Sequence, residues 1–147
     1  MIRRGNIEDF DIVKKIEKKT FGKFAYLEDE IKEMIRSSYI LLYNESAYIA
    51  FFFEGNSCHV ESIAVLPNQK KKGIGSTLMK EMEKISKENG INRVILEVRE
   101  KNYGAIKFYE SIGYKKIGLI ENYYIIPYRG SRNAFLMEKI LDPLPSN

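Results

Sequence analysis

The chain has 147 residues, of which 44% are hydrophobic and 30% are charged, as in an ordinary globular protein. This length suits a single domain over residues 1–147 that buries a core without metal or disulfide support, with a loose tail over residues 141–147. No apolar run approaches the roughly 20 residues of a membrane span. One histidine and one cysteine are too few for a zinc cluster, so we expect no metal cofactor.

The net charge of +4 and the pI near 9.0 suit an anionic ligand. A charge of this size is too small to require nucleic acid as a partner. The opening residues MIRRGNIEDF lack the apolar segment of a secretory signal, so we expect a cytoplasmic protein without a membrane partner. For its assembly we expect a monomer or a weak homodimer.

Apolar periodicity predicts the elements of the first half of the chain. The predicted segments are a strand at 1–4, helices at 7–20 and 27–35, and strands at 39–43, 47–55 and 59–67. The helices place apolar residues at helical spacing, and the strands are rich in β-branched and aromatic residues. Asn44-Glu45-Ser46 is a typical hairpin turn, so we expect three antiparallel strands that follow one another in the sheet.

The second half contains the most regular helix of the sequence. Ile74, Leu78, Met82 and Ile85 form one apolar stripe, and Asn89-Gly90 is a typical helix end. The predicted segments are a helix at 73–89, a strand at 93–98, a helix at 103–112 and strands at 114–126 and 134–141. The helix at 73–89 links the strand at 59–67 to the strand at 93–98 as a crossover, which makes those two strands parallel. We therefore expect an α/β (α+β) fold with a mixed, mostly antiparallel sheet.

The segment QKKKGIGSTL, residues 69–78, joins three lysines to a Gly-Ile-Gly at the start of this helix. Small residues there let backbone N–H groups approach an anion, which the helix N-terminus also favours. The spacing fits neither a P-loop, which needs Gly-Lys-Ser/Thr, nor the dinucleotide fingerprint, which needs a third glycine where Leu78 stands. From these residues alone, a phosphate-binding turn and a solvated loop remain equally open.

A longer stretch resolves the choice by resemblance. SIAVLPNQKKKGIGSTLMKEM, followed by VILEVREKNYGAIKFYESIGY, resembles the GNAT superfamily of N-acetyltransferases, and the order of elements agrees over nearly the whole chain. LEVREKN, AIKFYESIGY and the NYY at 122–124 are most similar to the RimI group, which acetylates protein N-termini. The resemblance implies the GNAT fold, with about seven strands and about four helices, and acetyl-coenzyme A as the cofactor, released as coenzyme A.

In this family the turn Q/R-x-x-G-x-G/A holds the pyrophosphate, and the pantetheine lies against the preceding strand, which must separate from its neighbour. The resemblance thus implies these cofactor-binding residues: Ile63, Ala64, Val65, Lys70, Lys71, Lys72, Gly73, Ile74, Gly75, Ser76 and Asn102. Two features depart from the family. Lys70 stands where Gln or Arg is usual, and the loop FGKFAY, residues 21–26, lacks the proline common in N-terminal acetyltransferases.

Acetyl transfer to an amine needs a neutral amine, a polarised carbonyl and a proton for the departing thiolate. The resemblance implies Glu97 as the base, directly or through water, and Tyr109 as the acid that protonates the sulfur. Without the resemblance, Glu97 would be a sheet carboxylate paired with a lysine, and Tyr109 a core aromatic. Cys58 has no partner that would activate a thiolate, so we do not expect an acyl-cysteine.

The expected acceptor is the α-amine of a protein or peptide N-terminus, including those of ribosomal proteins. His59 and Glu61 share one face if the strand alternates regularly, and either could assist Glu97. The open alternatives are a lysine or small-amine (polyamine-type) acetyltransferase, a non-catalytic acyl-coenzyme A sensor and a nucleic-acid-binding module. The candidate substrate-binding residues are Phe21, Tyr26, His59, Glu61, Tyr123 and Tyr124.

Overall fold

A mixed seven-stranded sheet forms the centre of the protein in the computed structural model, which describes residues 1–143. The strands are β1 (Ile2–Arg4), β2 (Tyr39–Tyr43), β3 (Ala47–Glu54), β4 (Ser57–Val65), β5 (Arg93–Arg99), β6 (Lys115–Ile120) and β7 (Ala134–Ile140). The helices are α1 (Phe10–Phe21), α2 (Glu28–Ser37), α3 (Ile74–Glu88) and α4 (Tyr103–Ser111). This order confirms the predicted one, except that β6 ends at Ile120 rather than at residue 126.

The strands lie in the order β1-β2-β3-β4-β5-β7-β6. Among the neighbouring strands of residues 1–143, only β4 and β5 are parallel, and α3 connects them, which confirms the predicted crossover. All other neighbours are antiparallel. None of the helices in residues 1–143 is long and apolar enough to cross a membrane.

Each face of the sheet carries its own apolar core. Helices α3 and α4 cover one face, where the stripe of Ile74, Leu78 and Met82 is buried as predicted. Helices α1 and α2 cover the other face, through residues such as Val13 and Ile31. The sheet is therefore enclosed on both sides, as the near-continuous apolar runs of its central strands require.

A buried carboxylate ties a helix to the sheet on each face. Glu17 of α1 accepts a hydrogen bond from the hydroxyl of Tyr48 in β3. Glu83 of α3 accepts hydrogen bonds from the Tyr114 hydroxyl (2.8 Å) and from Lys139 Nζ (2.9 Å). Both carboxylates thus have partners inside the protein, which offsets part of the free-energy cost of their burial.

The C-terminal end is ordered further than expected. Leu141, which the sequence analysis assigned to the loose tail, is buried, and its N–H donates to the Asn92 carbonyl (2.9 Å). Leu141 therefore does not belong to a loose tail, because its side chain is part of the apolar core on the face that α3 and α4 cover. The end of the predicted tail, residues 144–147, lies outside the described residues.

Candidate functional site

Strand β4 is irregular at Glu61. Val60 pairs with Phe51 of β3, whereas Ser62 pairs with the adjacent Ala50, so Glu61 is an extra residue in the strand. Such a β-bulge bends the strand and shifts which face its later side chains occupy. The regular alternation on which the sequence analysis grouped His59 with Glu61 is therefore interrupted.

The two parallel strands separate just beyond this bulge. Pairing between β4 and β5 ends at Val60 and Leu96, although β4 continues to Val65 and β5 to Arg99. Their carboxyl-terminal ends therefore leave a slot between them, as the sequence analysis expected. Because α3 begins beyond the end of β4, this slot leads toward the glycine turn.

Backbone groups of β4 face this slot. The N–H of Leu66 donates to the Ser46 carbonyl on the β3 side (2.8 Å). Since amide directions alternate along a strand, the N–H groups of Ile63 and Val65 point away from β3 into the slot, and that of Ala64 points toward β3. Of the three strand residues assigned to the cofactor, Ile63 and Val65 present free amides, whereas the amide of Ala64 faces the neighbouring strand.

The turn before α3 presents a run of unpaired amides. Lys71 and Gly73 have positive φ angles of 65° and 78°, and α3 begins at Ile74. Within residues 1–143, no N–H of residues 71–76 donates a hydrogen bond, and the first donor is Thr77, to the Gly73 carbonyl (3.0 Å). Unpaired amides at the N-terminus of a 15-residue helix suit a pyrophosphate. The residues present thus fit the phosphate end of a coenzyme A molecule.

Gly75 faces the gap between β4 and α4. A Cβ atom there would lie 3.4 Å from Phe108 Cζ and 3.8 Å from Val65 Cγ2. A Cβ atom on Gly73 would meet nothing within 4 Å, so space does not require a glycine there. The positive φ angle of Gly73 favours glycine instead. The side chains of residues 70–72 are exposed, Ser76 is half-buried, and only Lys72 is held locally, by Gln69 (3.1 Å).

A cleft of about 460 Å³ lies between the end of α1 and the separated strands. The predicted site residues that line it are Phe21, Tyr26, Glu61, Ile63, Lys70, Glu97, Asn102 and Tyr124. His59 and Tyr123 do not line the cleft but lie against Glu97. The structure therefore brings candidates from five separate parts of the chain to one place.

Glu97 is paired with a histidine rather than with a lysine. His59 Nε2 lies 2.7 Å from Glu97 Oε1, and the two side chains are 25% and 13% exposed. This hydrogen bond raises the pKa of His59, against the opposing effect of burial. The ring of Phe52 packs 5.1 Å from the imidazole. The pair thus joins β4 to β5 near the point where the strands separate.

Tyr109 is buried on α4, between Phe108 and Tyr114. Burial raises its pKa to about 12, so the hydroxyl stays protonated at neutral pH. The hydroxyl makes no hydrogen bond within residues 1–143. It is not fully buried, because Arg93 Nε is the only fully buried side-chain N or O atom without a partner among those residues. The Tyr109 hydroxyl therefore keeps some access to solvent and is free to contact a ligand.

Asn102 and Tyr26 anchor the two sides of the cleft. Asn102 Oδ1 accepts from the Ala105 N–H (3.2 Å) and so caps α4. The N–H of Tyr26 donates to Glu17 Oε1 (3.2 Å), and its hydroxyl donates to the Glu61 carbonyl (3.3 Å). The same two residues also line the cleft, so capping and ligand contact are compatible at both positions.

Sequence reasoning missed several residues of the cleft. They are Glu17, Thr20, Phe24, Ser62, Val98, Arg99 and Tyr128. Two of them carried a signal that could have been used. Glu17 lies one turn after Val13 on the apolar stripe of α1, an unusual place for a charge. Arg99 follows Glu97 by two residues on one strand and therefore shares its face.

The cysteine remains outside this site. Cys58 is buried in the core on the α3 face, and burial raises the pKa of its thiol to about 11. Such a thiol is almost entirely protonated at neutral pH and is a poor nucleophile.

Comparison with known proteins identifies the family. Residues 6–114 match the model of the acetyltransferase (GNAT) family. Over 84 residues the chain is 37% identical to an N-alpha-acetyltransferase of Saccharolobus solfataricus, which covers 56% of this chain and 48% of that protein. Over 76 residues it is 38% identical to the [ribosomal protein bS18]-alanine N-acetyltransferase of Haemophilus influenzae, covering 52% and 51%. The matches span about half the length of these relatives.

The fold agrees with a solved structure over the full chain. The ribosomal-protein-S18-alanine N-acetyltransferase from Escherichia coli superposes with a TM-score of 0.85 and 24% identity, covering 100% of this chain and 97% of that one. The likeness confirms the predicted fold. Since the family model also matches well over half of the sequence, the chain belongs to the acetyltransferase (GNAT) family.

Proposed function

We propose that the protein is an acetyl-coenzyme A-dependent N-acetyltransferase that acts on the α-amine of protein N-termini. The strongest support is the slot between the separated strands β4 and β5. Unpaired amides at the start of α3 lie beyond the end of β4, and the Glu97–His59 pair joins the two strands. Relatives of the chain are named as N-alpha-acetyltransferases and as a ribosomal-protein-alanine N-acetyltransferase. From these names we take protein N-termini, including those of ribosomal proteins, as the candidate acceptors of this chain.

The chain's own backbone would hold the cofactor. The amides of residues 71–76 donate to the pyrophosphate, and the exposed lysines 70–72 add an attractive charge. Ile63 and Val65 donate to the pantetheine in the slot, and one of these N–H groups would also polarise the thioester carbonyl. When bound, acetyl-coenzyme A supplies the acetyl group as an activated thioester.

Two side chains would move the protons. Glu97 accepts a proton from the attacking amine as the nitrogen–carbon bond forms. Tyr109, which burial keeps protonated, donates its proton to the sulfur as the carbon–sulfur bond breaks. His59 holds one oxygen of Glu97 and so fixes the orientation of the carboxylate. One proton leaves the amine and one reaches the thiolate, so the exchange balances after Glu97 and Tyr109 return to their starting states through solvent.

An α-amine suits this site better than a lysine side chain. Its pKa of about 8 leaves a useful neutral fraction at pH 7, whereas lysine, at about 10.4, depends far more on the base. The cleft is also broad and lined by the rings of Phe24, Tyr26 and Tyr124, which offers room for the first residues of a peptide.

The test measures coenzyme A release with matched peptides that each contain an internal lysine. One set has a free α-amine and the other an acetylated one, and Glu97→Gln serves as the inactive control. We expect turnover only with free α-amines. Turnover on the blocked set would assign the activity to lysine. Binding of acetyl-coenzyme A by calorimetry without any peptide turnover would contradict the proposal and favour a small-amine enzyme or a sensor.

A further inference from the structure

We propose that Arg99 forms a carboxylate-binding subsite in the cleft, so that the preferred acceptor carries Asp or Glu within its first two residues. This inference rests on the proposed function and deepens it by naming a class of acceptor. Four observations carry it: the position of Arg99, its lack of an acidic partner, the aromatic rings against it and the charges around it.

Arg99 lies beside the candidate base. Glu97 and Arg99 are two residues apart on β5, and both line the cleft. Val98 between them contributes to the cleft lining as well, but it is 5% exposed and belongs to the core on the α3 face. Two residues of a strand span about 6.6 Å. The two side chains therefore leave the strand on one face, side by side in the cleft. An acceptor whose amine reaches Glu97 would thus place the side chain of its first or second residue near Arg99.

Within residues 1–143, Arg99 carries a charge without an acidic partner. Within residues 1–143 it donates one hydrogen bond, from Nη1 to the Ile126 carbonyl (2.7 Å), and forms no ion pair. Its Nε and Nη2 have no hydrogen-bond partner in residues 1–143. They are nevertheless accessible to solvent, because Arg93 Nε is the only fully buried side-chain N or O atom without a partner among those residues. The free N–H groups therefore face the cleft or its mouth. A partly desolvated cation of this kind favours an anionic ligand.

Aromatic rings hold the guanidinium in place. Arg99 Cζ lies 3.9 Å from the centre of the Tyr124 ring and 4.9 Å from that of Phe24. Stacking occupies the flat faces of a guanidinium and leaves its edge, where the N–H groups point, for a carboxylate. The fork is thus pre-oriented, so that little conformational entropy is lost when an acid binds.

The other charges of the cleft make it dipolar. Glu97 and Glu61 place negative charge near the expected position of the amine. Glu17 is also acidic, but it already accepts hydrogen bonds from Tyr48 and Tyr26. Arg99 is the cationic residue on the β5 side, and Lys70 lies at the turn before α3. An N-terminus with a positive amine and a nearby carboxylate has the complementary arrangement.

The test compares kcat/KM for peptides that differ at a single position. Glu is compared with its isostere Gln, first at position one and then at position two, in 0.15 M salt, with the wild type and with Arg99→Gln, Arg99→Lys and Arg99→Glu. Arg132→Gln is the matched control, because Arg132 is an exposed cation that contacts Tyr124 but does not line the cleft.

We expect the wild type and Arg132→Gln to favour Glu over Gln by about tenfold at one of the two positions, mainly through KM. The ratio should fall to about one in Arg99→Gln, recover partly in Arg99→Lys and invert in Arg99→Glu. Equal rates for Glu and Gln peptides with the wild type, or an acid preference that persists in Arg99→Gln, would overturn the subsite. A wild-type ratio of one overturns the subsite whatever the variants do, and the conservative Arg99→Lys variant locates the preference if Arg99→Gln fails to fold. Failure of the proposed function looks different: no peptide would release coenzyme A.

Discussion

His59 Nε2 and Glu97 Oε1 lie 2.7 Å apart, within hydrogen-bonding distance. A lysine at this place would carry a fixed charge at neutral pH, whereas a histidine can lose its charge there. The charge beside the candidate base is therefore sensitive to pH. Glu61 and Glu54 also lie near His59 and favour its protonated form.

Replacing Glu97 tests its role as the base. Glu97→Gln keeps the shape and a hydrogen-bonding oxygen for His59 but cannot accept a proton at neutral pH. We expect kcat to fall by about 10²-fold or more, with the affinity for coenzyme A unchanged. Steady-state kinetics and calorimetry measure the two quantities. Glu110→Gln, on the exposed side of α4, is the control, and an unchanged kcat in Glu97→Gln would assign the base to another group or to water.

The His59–Glu97 pair should make stability depend on pH. Its hydrogen bond raises the folded-state pKa of His59 above the unfolded value of about 6.5. A raised pKa contributes stability that is complete below the unfolded pKa and is lost as pH rises through the folded pKa. The free energy of unfolding of the wild type relative to His59→Gln should therefore decrease between pH 6 and pH 9. Urea denaturation across this range measures it, and a constant difference would show that the charge of His59 does not contribute.

At the scale of elements, the site depends on how β4 ends. The bulge at Glu61 and the loss of pairing after Val60 occur within a few residues, and α3 starts beyond the turn that follows. One short segment therefore provides slot-facing amides and a helix N-terminus with unpaired donors. In the proposed function, the neutral pantetheine amides and the anionic phosphates would both meet backbone N–H groups and would need no further side chain.

Filling the turn should abolish cofactor binding. Gly75 faces the gap between Val65 and Phe108, so a glutamate there adds bulk and negative charge where phosphates are expected. We expect Gly75→Glu to lose measurable affinity for coenzyme A while remaining folded. Gly118→Glu adds the same side chain to β6, where a Cβ atom meets nothing within 4 Å, and should bind normally. Normal affinity in Gly75→Glu would exclude this turn from the cofactor site.

At the scale of the whole molecule, the sheet separates two cores, and each core has one buried carboxylate that links a helix to a tyrosine. Glu17 is 2% exposed, and burial raises its pKa despite the hydrogen bonds from Tyr48 and Tyr26. Because Glu17 also lines the cleft, the position of α1 and the shape of the cleft depend on the same contact.

Removing the Tyr48 hydroxyl tests this link. Tyr48→Phe leaves one oxygen of Glu17 without its donor in a buried place, which should cost about 1–3 kcal/mol of unfolding free energy. Urea denaturation measures the loss. Tyr103→Phe, an exposed tyrosine on α4, should cost far less. Equal losses in both variants would mean that the Glu17–Tyr48 contact contributes no net stability.

The sequence by itself determined the order of the elements, the parallel crossover around α3 and the position of the glycine turn. These features depend on local patterns, namely apolar periods of two or 3.6 residues and glycines where φ is positive, as at Gly73. The family resemblance likewise depends on short stretches of the chain. The predicted end of β6 failed because apolar residues continue to Ile126, although the chain has already left the sheet.

Tertiary structure alone decided which residues meet. His59 and Glu97 are 38 residues apart, and Arg99 contacts Phe24 from a segment 75 residues earlier, so no local pattern could pair them. The bulge at Glu61 depends on how β4 fits against β3, and it changes the face that later side chains occupy. Long-range packing therefore set the partner of the candidate base and the charge of the cleft, because both arise where distant segments converge on the separated strands.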